Sequence, residues 1–205
     1  MKAEPRLRLP PGQRLARGWP VLHYGPIPPF DPNTWDFRVW GEVARPALLT
    51  YGQCRALPSA RVVADFHCVT KLSVLDNEWE GVPFRTIARL VVPTAAARFG
   101  MAHCEHGYEA NLPLTVLMDD DVLFAWARNG EPLEPMHGFP LRLVVPKRYA
   151  WKSAKWVRGL EFMAEDRLGF WEERGYHNNA DPWREERYSF GSALGRPAPL
   201  RPRLR

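Results

Sequence analysis

The chain has 205 residues, 45% hydrophobic and 25% charged, which is typical of one folded globular domain and excludes a wholly disordered chain. Its 21 prolines, about twice the average usage, favour short elements joined by loops and argue against a helical bundle. The net charge of +5 resides at the ends, because residues 1–18 and 196–205 each carry +4 and the interior carries −3. This distribution argues against a nucleic-acid-binding domain, which concentrates Lys and Arg on one folded face.

Cysteine usage and hydropathy indicate the compartment. The three cysteines, Cys54, Cys68 and Cys104, are an odd number without a CxxC pair, so we expect no disulfide framework and a reducing environment. No run approaches the roughly 18 apolar residues of a membrane span, and the start of the chain lacks the apolar core of a secretory signal. The sequence therefore predicts a cytoplasmic protein without a membrane span.

The first half of the chain begins with a Pro- and Gly-rich lead-in, whose terminal part is residues 1–18. Thr50 is suited to cap a helix, and Pro83 is suited to the start of one. β-Branched and aromatic residues favour strands on either side of the Thr50 helix. The predicted elements, in chain order, are a strand over 36–43, a short helix over 51–57, a strand over 60–70, a turn at 77–81 and a helix over 84–91.

The second half continues the same alternation of short elements. The predictions are a strand near 98–104, a short helix opened by Pro113, strands over 122–128, 141–145 and 156–164, and a short helix over 166–174. From Gly175 an aromatic and charged tail, 175–205, is expected to lie over the body. Because regular βαβ spacing is missing, the sequence predicts a single α+β domain over 1–205, with mixed β-sheets and short helices.

Four segments place metal-binding or ionisable groups in loops or at strand ends. They are LHYG (22–25), DFHCVT (65–70), HCEHGYE (103–109) and MHGFPLR (136–142). Thiolates bind soft metals, while imidazole and guanidinium groups bind anions. The other interpretation of Cys68 is an inert buried thiol on an apolar strand.

A zinc site is the first metal hypothesis for these segments. His103, Cys104 and His106 supply the right ligand types. However, only two residues separate the two histidines, whereas structural zinc sites use H-x₃₋₅-H spacing. The zinc-binding structural protein therefore stays a weaker alternative.

Taken in order, the segments resemble the molybdopterin-binding domain of the sulfite oxidase superfamily. LHYGPIP resembles that family's NHLPVP-type segment, and DFHCVT resembles the segment whose cysteine ligates molybdenum. GYEANLPL is similar to YGASIPL, HGFPLRLVVP matches HGFP-[VL]-R-V-V-P, and WKSAKW resembles RHVKW. The correspondence runs from about Gly18 to Phe162 with similar gaps, and it implies the sulfite oxidase-like fold.

The resemblance implies a molybdenum–molybdopterin cofactor and a role for each matching residue. Cys68 would be the only protein ligand of the metal, and Tyr108 would face the substrate side. The residues implied to contact the pterin or its phosphate are His23, Tyr24, His137, Arg142, Lys152, Ser153 and Lys155. A planar guanidinium and a lysine ammonium both suit a phosphate.

The chain departs from sulfite-oxidising relatives where those place arginines around an anion. The corresponding positions are Val21, residues 69–72 and Lys152, and this loss is expected to weaken sulfite binding. We therefore expect oxygen-atom transfer to or from a small substrate, an S-oxide, an N-oxide or a sulfite-like anion. Electrons would be exchanged with a separate electron-transfer protein. The alternative is a non-catalytic cofactor-binding or interaction module of the same fold.

Overall fold

Two β-sheets and three short helices form residues 8–189, the part of the chain that this computed structural model describes. The helices are α1 (Tyr51–Arg55), α2 (Phe84–Val91) and α3 (Leu114–Leu117). The strands are β1 (Arg14–Leu15), β2 (Asp36–Gly41), β3 (Ala47–Thr50), β4 (Ala60–His67), β5 (Leu72–Pro83), β6 (Phe99–Cys104), β7 (Glu109–Pro113), β8 (Leu123–Arg128), β9 (Glu131–Pro132), β10 (Arg142–Val144) and β11 (Val157–Met163). Single 3₁₀ turns occupy Glu105–Gly107, Pro135–His137, Ala150–Lys152, Glu172–Arg174 and Pro182–Arg184.

Both sheets are mixed. The first runs β1–β5–β8–β10, with β4 paired to β5 and β9 paired to β8, and only β1 pairs in parallel. The second runs β3–β2–β11–β6–β7, and only its β2–β11 pair is parallel. The predicted α+β class with mixed sheets and short helices is confirmed.

One core cluster joins the two sheets through aromatic residues of four elements. Phe84 of α2 packs on Phe124 of β8 at 6.2 Å between ring centroids and on Phe162 of β11 at 5.8 Å. Phe37 of β2 packs on Phe124 at 5.1 Å. Burying each such ring contributes about 2 kcal/mol, so α2 ties the sheets together.

The local signals at helix starts behave as the sequence predicts. The Thr50 hydroxyl accepts from the backbone of Gln53, whose side chain accepts from the backbone of Thr50, a complete capping box at α1. Pro83 directly precedes α2, which buries Phe84, Ile87, Ala88 and Val91 at helical spacing. None of these helices is long or apolar enough to span a membrane within residues 8–189.

The turn predicted at 77–81 is wrong, because these residues lie inside β5. Trp79 is fully buried in a small core cluster, and the Asn77 amide donates to the carbonyl oxygens of Ala64 and Val74. Long-range pairing with β4 and β8 on both sides therefore outweighs the local turn preference.

The helix predicted over 166–174 is also wrong, since only Glu172–Arg174 form a 3₁₀ turn. The backbone amides of Gly169 and Phe170 bond instead to Asn111 Oδ1 and the Glu109 carbonyl. Residues 175–189 bond to the body, with the Tyr149 amide donating to the Ala180 carbonyl. Residues 1–7 and 190–205, which include part of the basic termini, lie outside the described residues.

Gly81→Ala is expected to destabilise the first sheet. A Cβ at Gly81 would lie 2.0 Å from the Phe124 carbonyl oxygen and 2.6 Å from Ala125 Cα, which are backbone atoms of β8. We expect a loss of about 3 kcal/mol in the free energy of unfolding, measured by urea denaturation. The matched control is Gly52→Ala on exposed α1, where the new methyl meets nothing within 4 Å and should add about 0.5–1 kcal/mol. Equal stability of the two variants would contradict this packing.

Candidate active site

A cavity of about 310 Å³ opens between the first sheet, the N-terminal lead-in and the C-terminal segment. Its polar lining residues are His23, Tyr24, Cys68, Thr70, Tyr108, Arg142, Ser153, Lys155 and Tyr176. Among residues 8–189, no carboxylate lines this cavity. Seven of the predicted site residues, all except His137 and Lys152, are therefore brought together around it.

Cys68 is presented to the cavity by the turn between β4 and β5. Its backbone amide donates to the Leu72 carbonyl at 2.8 Å, and the Lys71 amide donates back to the Cys68 carbonyl at 3.1 Å. The Gln13 amide also holds that carbonyl, at 3.0 Å. The Thr70 hydroxyl donates to the half-buried Cys68 Sγ at 3.1 Å. A thiol and a hydroxyl donor to its sulfur thus lie on one tight turn.

Two cations, Arg142 at the start of β10 and Lys155, pack against Gly138 in the loop before β10. Gly138 makes this packing possible, since a Cβ there would lie 3.2 Å from Cβ of both Arg142 and Lys155. Arg142 donates to the His137 carbonyl at 2.9 Å, and Lys155 donates to the Met136 carbonyl at 2.7 Å. Each cation thus uses one donor on the loop and keeps others for a ligand.

Burial disfavours the charged forms of Arg142 and Lys155. It lowers the pKa of the Arg142 guanidinium to about 9 and that of the Lys155 ammonium to about 7. The neighbouring Arg142 charge lowers the pKa of Lys155 further. The Arg142 Nε atom is buried without a hydrogen-bond partner within residues 8–189. An anion bound here would offer an acceptor to that donor and raise the pKa of both groups.

His137 lies behind the cavity wall instead of lining it. Its ring stacks on Trp19, a lining residue, at 3.8 Å between centroids, and its Nδ1 is 3.1 Å from Glu134 Oε2. Burial is the main cause that lowers the pKa of His137, with Lys155 adding to it. Its Nε2 is buried without a partner in the described part of the chain.

Lys152 is turned away from the cavity, which differs from the predicted cofactor contact. Its fully buried ammonium lies 2.7 Å from Glu172 Oε1 and donates to the Asn111 carbonyl and Oδ1 at 2.8 and 2.9 Å. The same Glu172 oxygen accepts from Trp151 Nε1 at 2.7 Å. Burial lowers the pKa of Lys152, and the Glu172 charge opposes this shift. Lys152 therefore stabilises the wall of the cavity through Glu172 and Asn111.

Tyr108 and Ser153 are held by backbone groups. The Tyr108 hydroxyl donates to the Trp151 carbonyl at 2.5 Å, and burial together with the Glu172 charge raises its pKa well above the ordinary value. The Ser153 oxygen accepts from the Val145 amide at 2.9 Å, which leaves its proton for another acceptor. Tyr108 therefore stays protonated at neutral pH.

His23 and Tyr24 come from the lead-in. His23 Nδ1 donates to the Gly25 carbonyl at 2.9 Å, so Nε2 is the nitrogen that can meet a ligand. The His23 ring lies 5.2 Å from Trp156, and the exposed Tyr24 ring lies 4.5 Å from Phe170. Local turn bonding and aromatic packing position both residues.

The zinc alternative finds no support in the geometry. His103 lies between two carboxylates, with Nδ1 2.8 Å from Glu109 and Nε2 2.9 Å from Glu161, whereas His106 Nε2 faces the Pro26 carbonyl at 2.8 Å. Burial raises the pKa of the Cys104 thiol. Within residues 8–189, no group of three His, Cys, Asp or Glu side chains is arranged to hold a metal ion.

Three aromatic residues of the lining lie outside the segments that the sequence analysis singled out: Trp19, Trp171 and Tyr176. Each belongs to a segment without periodicity, and the position of the ring depends on contacts remote in sequence. The only signal was the large number of aromatics, with 9 tryptophans in the chain. That number indicates aromatic packing but does not say where it occurs.

Comparison with known proteins defines the family. Residues 24–171 match the model of the oxidoreductase molybdopterin-binding domain, and the chain belongs to this family. It is 44% identical over 184 residues to the uncharacterized oxidoreductase YuiH of Bacillus subtilis, covering 89% of this chain and 93% of that one. The predicted resemblance to the sulfite oxidase superfamily is confirmed.

More distant relatives carry different functional names. A putative protein-methionine-sulfoxide reductase subunit, YedZ1, of Azospira oryzae is 26% identical, covering 82% of this chain and 64% of that one. A sulfite oxidase of Arabidopsis thaliana is 29% identical, covering 75% of this chain and 48% of that one. The sulfane dehydrogenase SoxCD of Paracoccus pantotrophus matches with a TM-score of 0.65 and 22% identity over 70% of this chain and 41% of that one, which confirms the fold.

Lys152→Met is expected to lower the free energy of unfolding by about 3 kcal/mol, because it leaves the Glu172 carboxylate buried without its cation. Urea denaturation measures this loss. Lys147→Met is the matched control: that lysine is exposed and paired with Asp119, so its removal should cost roughly 0–1 kcal/mol. A loss at Lys152 no larger than at Lys147 would contradict the buried pair.

Sulfate binding to the cofactor-free protein is expected to weaken several-fold as the pH rises from 6 to about 8.5. Lys155, with a pKa of about 7, loses its charge over this range, whereas Arg142, with a pKa of about 9, keeps most of its charge. Isothermal titration calorimetry measures the affinity, and Lys155→Met should remove the pH dependence. A slope that survives in Lys155→Met would exclude Lys155 as the titrating group.

Proposed function

We propose that this protein is a molybdopterin-dependent oxidoreductase that transfers an oxygen atom to or from a small substrate and exchanges electrons with a separate carrier protein. The observation that carries the proposal is the half-buried Cys68 thiol in a cavity shared with Arg142 and Lys155, inside the family match. When bound, the cofactor supplies a metal centre able to accept or release an oxygen atom and to cycle its oxidation state.

The side chains around the cavity fit an anionic, metal-bearing group. Cys68 offers a soft thiolate ligand, with the Thr70 hydroxyl as a donor to the sulfur. Arg142 keeps an unsatisfied buried Nε donor, and Lys155 and Ser153 line the same cavity. Because no carboxylate among residues 8–189 lines it, nothing there opposes a phosphate.

The proton chemistry assigned to this chain centres on Tyr108. In the reducing direction, one S-oxide takes up two electrons from the carrier and two protons, and yields one thioether and one water. Since burial keeps the Tyr108 hydroxyl protonated, it serves as a hydrogen-bond donor to the substrate oxygen and not as a base. In the free protein its single proton is donated to the Trp151 carbonyl, so the hydroxyl must exchange this bond for one to the substrate oxygen.

The charges of the cavity support a neutral S-oxide or N-oxide over sulfite. Lys152, at a position where the resemblance implies an anion-binding arginine, is neutralised by Glu172 inside the wall. The remaining lining cations are Arg142 and Lys155, both assigned here to the cofactor. A sulfite dianion would then lack the paired guanidinium groups that such an anion requires.

The proposed location is a reducing compartment, the cytoplasm. All three cysteines are free thiols, and Cys68 must stay reduced to bind a metal.

Cys68→Ser is expected to abolish molybdenum binding and turnover, because a serine oxygen replaces the soft sulfur ligand. Elemental analysis of the purified protein measures the metal, and a dye-linked assay with dimethyl sulfoxide measures activity. Cys54→Ser is the matched control, since this buried thiol of α1 lies outside the cavity lining, and it should keep the metal.

Metal-free native protein without pterin would refute the proposed function. Bound cofactor without turnover of any S-oxide, N-oxide or sulfite would favour the non-catalytic module of the same fold.

A further inference from the structure

The cavity has a second, aromatic side that the proposed cofactor contacts do not use. The half-buried rings of Trp171 and Tyr176 lie 4.9 Å apart, and Tyr176 packs edge-on against Trp151 at 5.0 Å. Val69, the residue after Cys68, packs in the same cluster. Together, Val69, Trp151, Trp171 and Tyr176 are called the aromatic rim.

Among residues 8–189, no charged side chain belongs to the aromatic rim. Arg142 donates to the His137 carbonyl and Lys155 to the Met136 carbonyl, both on the loop before β10. The charged groups behind the rim are already paired. Glu172 is held by Lys152 and Trp151, and Arg187 donates to the Val69 carbonyl. A charged substrate group therefore finds no counter-ion at the rim.

The rim is also fixed before any ligand arrives. The Tyr176 amide donates to the Trp171 carbonyl at 3.0 Å, and the Glu172 side chain between them is anchored on buried Lys152. Tyr176 lies beyond residue 171, where the match to the family model ends. A rigid aromatic surface binds apolar groups with little loss of conformational entropy.

We propose that the aromatic rim is a substrate subsite for an aromatic or bulky apolar group, so that the substrate is a neutral organic S-oxide or N-oxide carrying such a group. This inference rests on the proposed function and deepens it by assigning the substrate class. The oxide would face Cys68 and Tyr108 while the apolar group stacks on Trp171. Only the oxygen is transferred, with two electrons from the carrier and two protons forming water.

The test compares two substrates that share the reacting group. Methyl phenyl sulfoxide carries a ring, and dimethyl sulfoxide does not. With the holoenzyme and a reduced dye, the native protein should favour the phenyl compound in kcat/KM. Trp171→Ala should reduce this preference about tenfold, mainly through a higher KM for the phenyl compound. Trp171→Phe keeps a ring and should retain most of the preference.

A binding measurement separates the subsite from the chemistry. Methyl phenyl sulfone, which resembles the substrate, is titrated into the same proteins by calorimetry, and Trp171→Ala should weaken its binding by the same factor. Trp183→Ala is the matched control, because Trp183 is 52% exposed and does not line the cavity, and it should change nothing. Tyr176→Leu is the second rim variant and should also weaken binding of the phenyl compound. It replaces Trp171→Ala in the test if that variant fails to fold.

The possible failures are distinguishable. Equal kcat/KM for both sulfoxides in the native protein, or loss of molybdenum in Trp171→Ala, would overturn the subsite while leaving the proposed function intact. Sulfone binding that depends on Trp171, with no turnover of either sulfoxide, would support the subsite and refute the proposed oxygen transfer.

Discussion

The buried ammonium of Lys152 is the constraint on which the site depends. A lysine removed from water needs acceptors for its protons, and here Asn111 provides two and Glu172 provides the third together with a compensating charge. Asn111 lies on β7 and Glu172 on the C-terminal segment, so satisfying one side chain fixes that segment against the second sheet. Asn111 also accepts from the Gly169 amide, which extends the same bonding to the chain that precedes Trp171.

This constraint divides the cavity by charge. Lys152 and Glu172 form an ion pair inside the wall, although burial and the Glu172 charge together raise the pKa of Tyr108 in the lining. The cations that remain, Arg142 and Lys155, are held by a single loop through its carbonyl groups. The result is a polar side suited to an anionic cofactor and a neutral aromatic side formed by Trp171 and Tyr176. Separation of this kind lets one cavity bind a charged and an uncharged group without competition.

How far the sequence predicted this depends on whether the signal was local. Thr50 and Pro83 act on the first turn of the helices that they precede, so both helices were found. The segments that resemble the family, taken in chain order, also predicted Cys68 and Arg142 as site residues, and both line one cavity. Lys152 was not placed correctly, because its orientation depends on Glu172, 20 residues away in a segment without pattern. The turn predicted at 77–81 failed for the same reason, since two other strands decide its conformation.

The polar side of the cavity couples cofactor binding to protonation and stability. In the free protein, burial and Arg142 lower the pKa of Lys155 from 10.5 to about 7, so between these values the unfolded chain binds more protons than the folded one. The stability of the cofactor-free protein therefore rises with pH across that window, and at pH 7 the cavity destabilises the fold. A bound phosphate reverses the cause, because its charge raises the pKa of Lys155 and satisfies the buried Arg142 donor. Keeping Arg142 and Lys155 charged and buried lowers the stability of the cofactor-free protein. Relief of this cost by a bound phosphate therefore favours the cofactor-bound state.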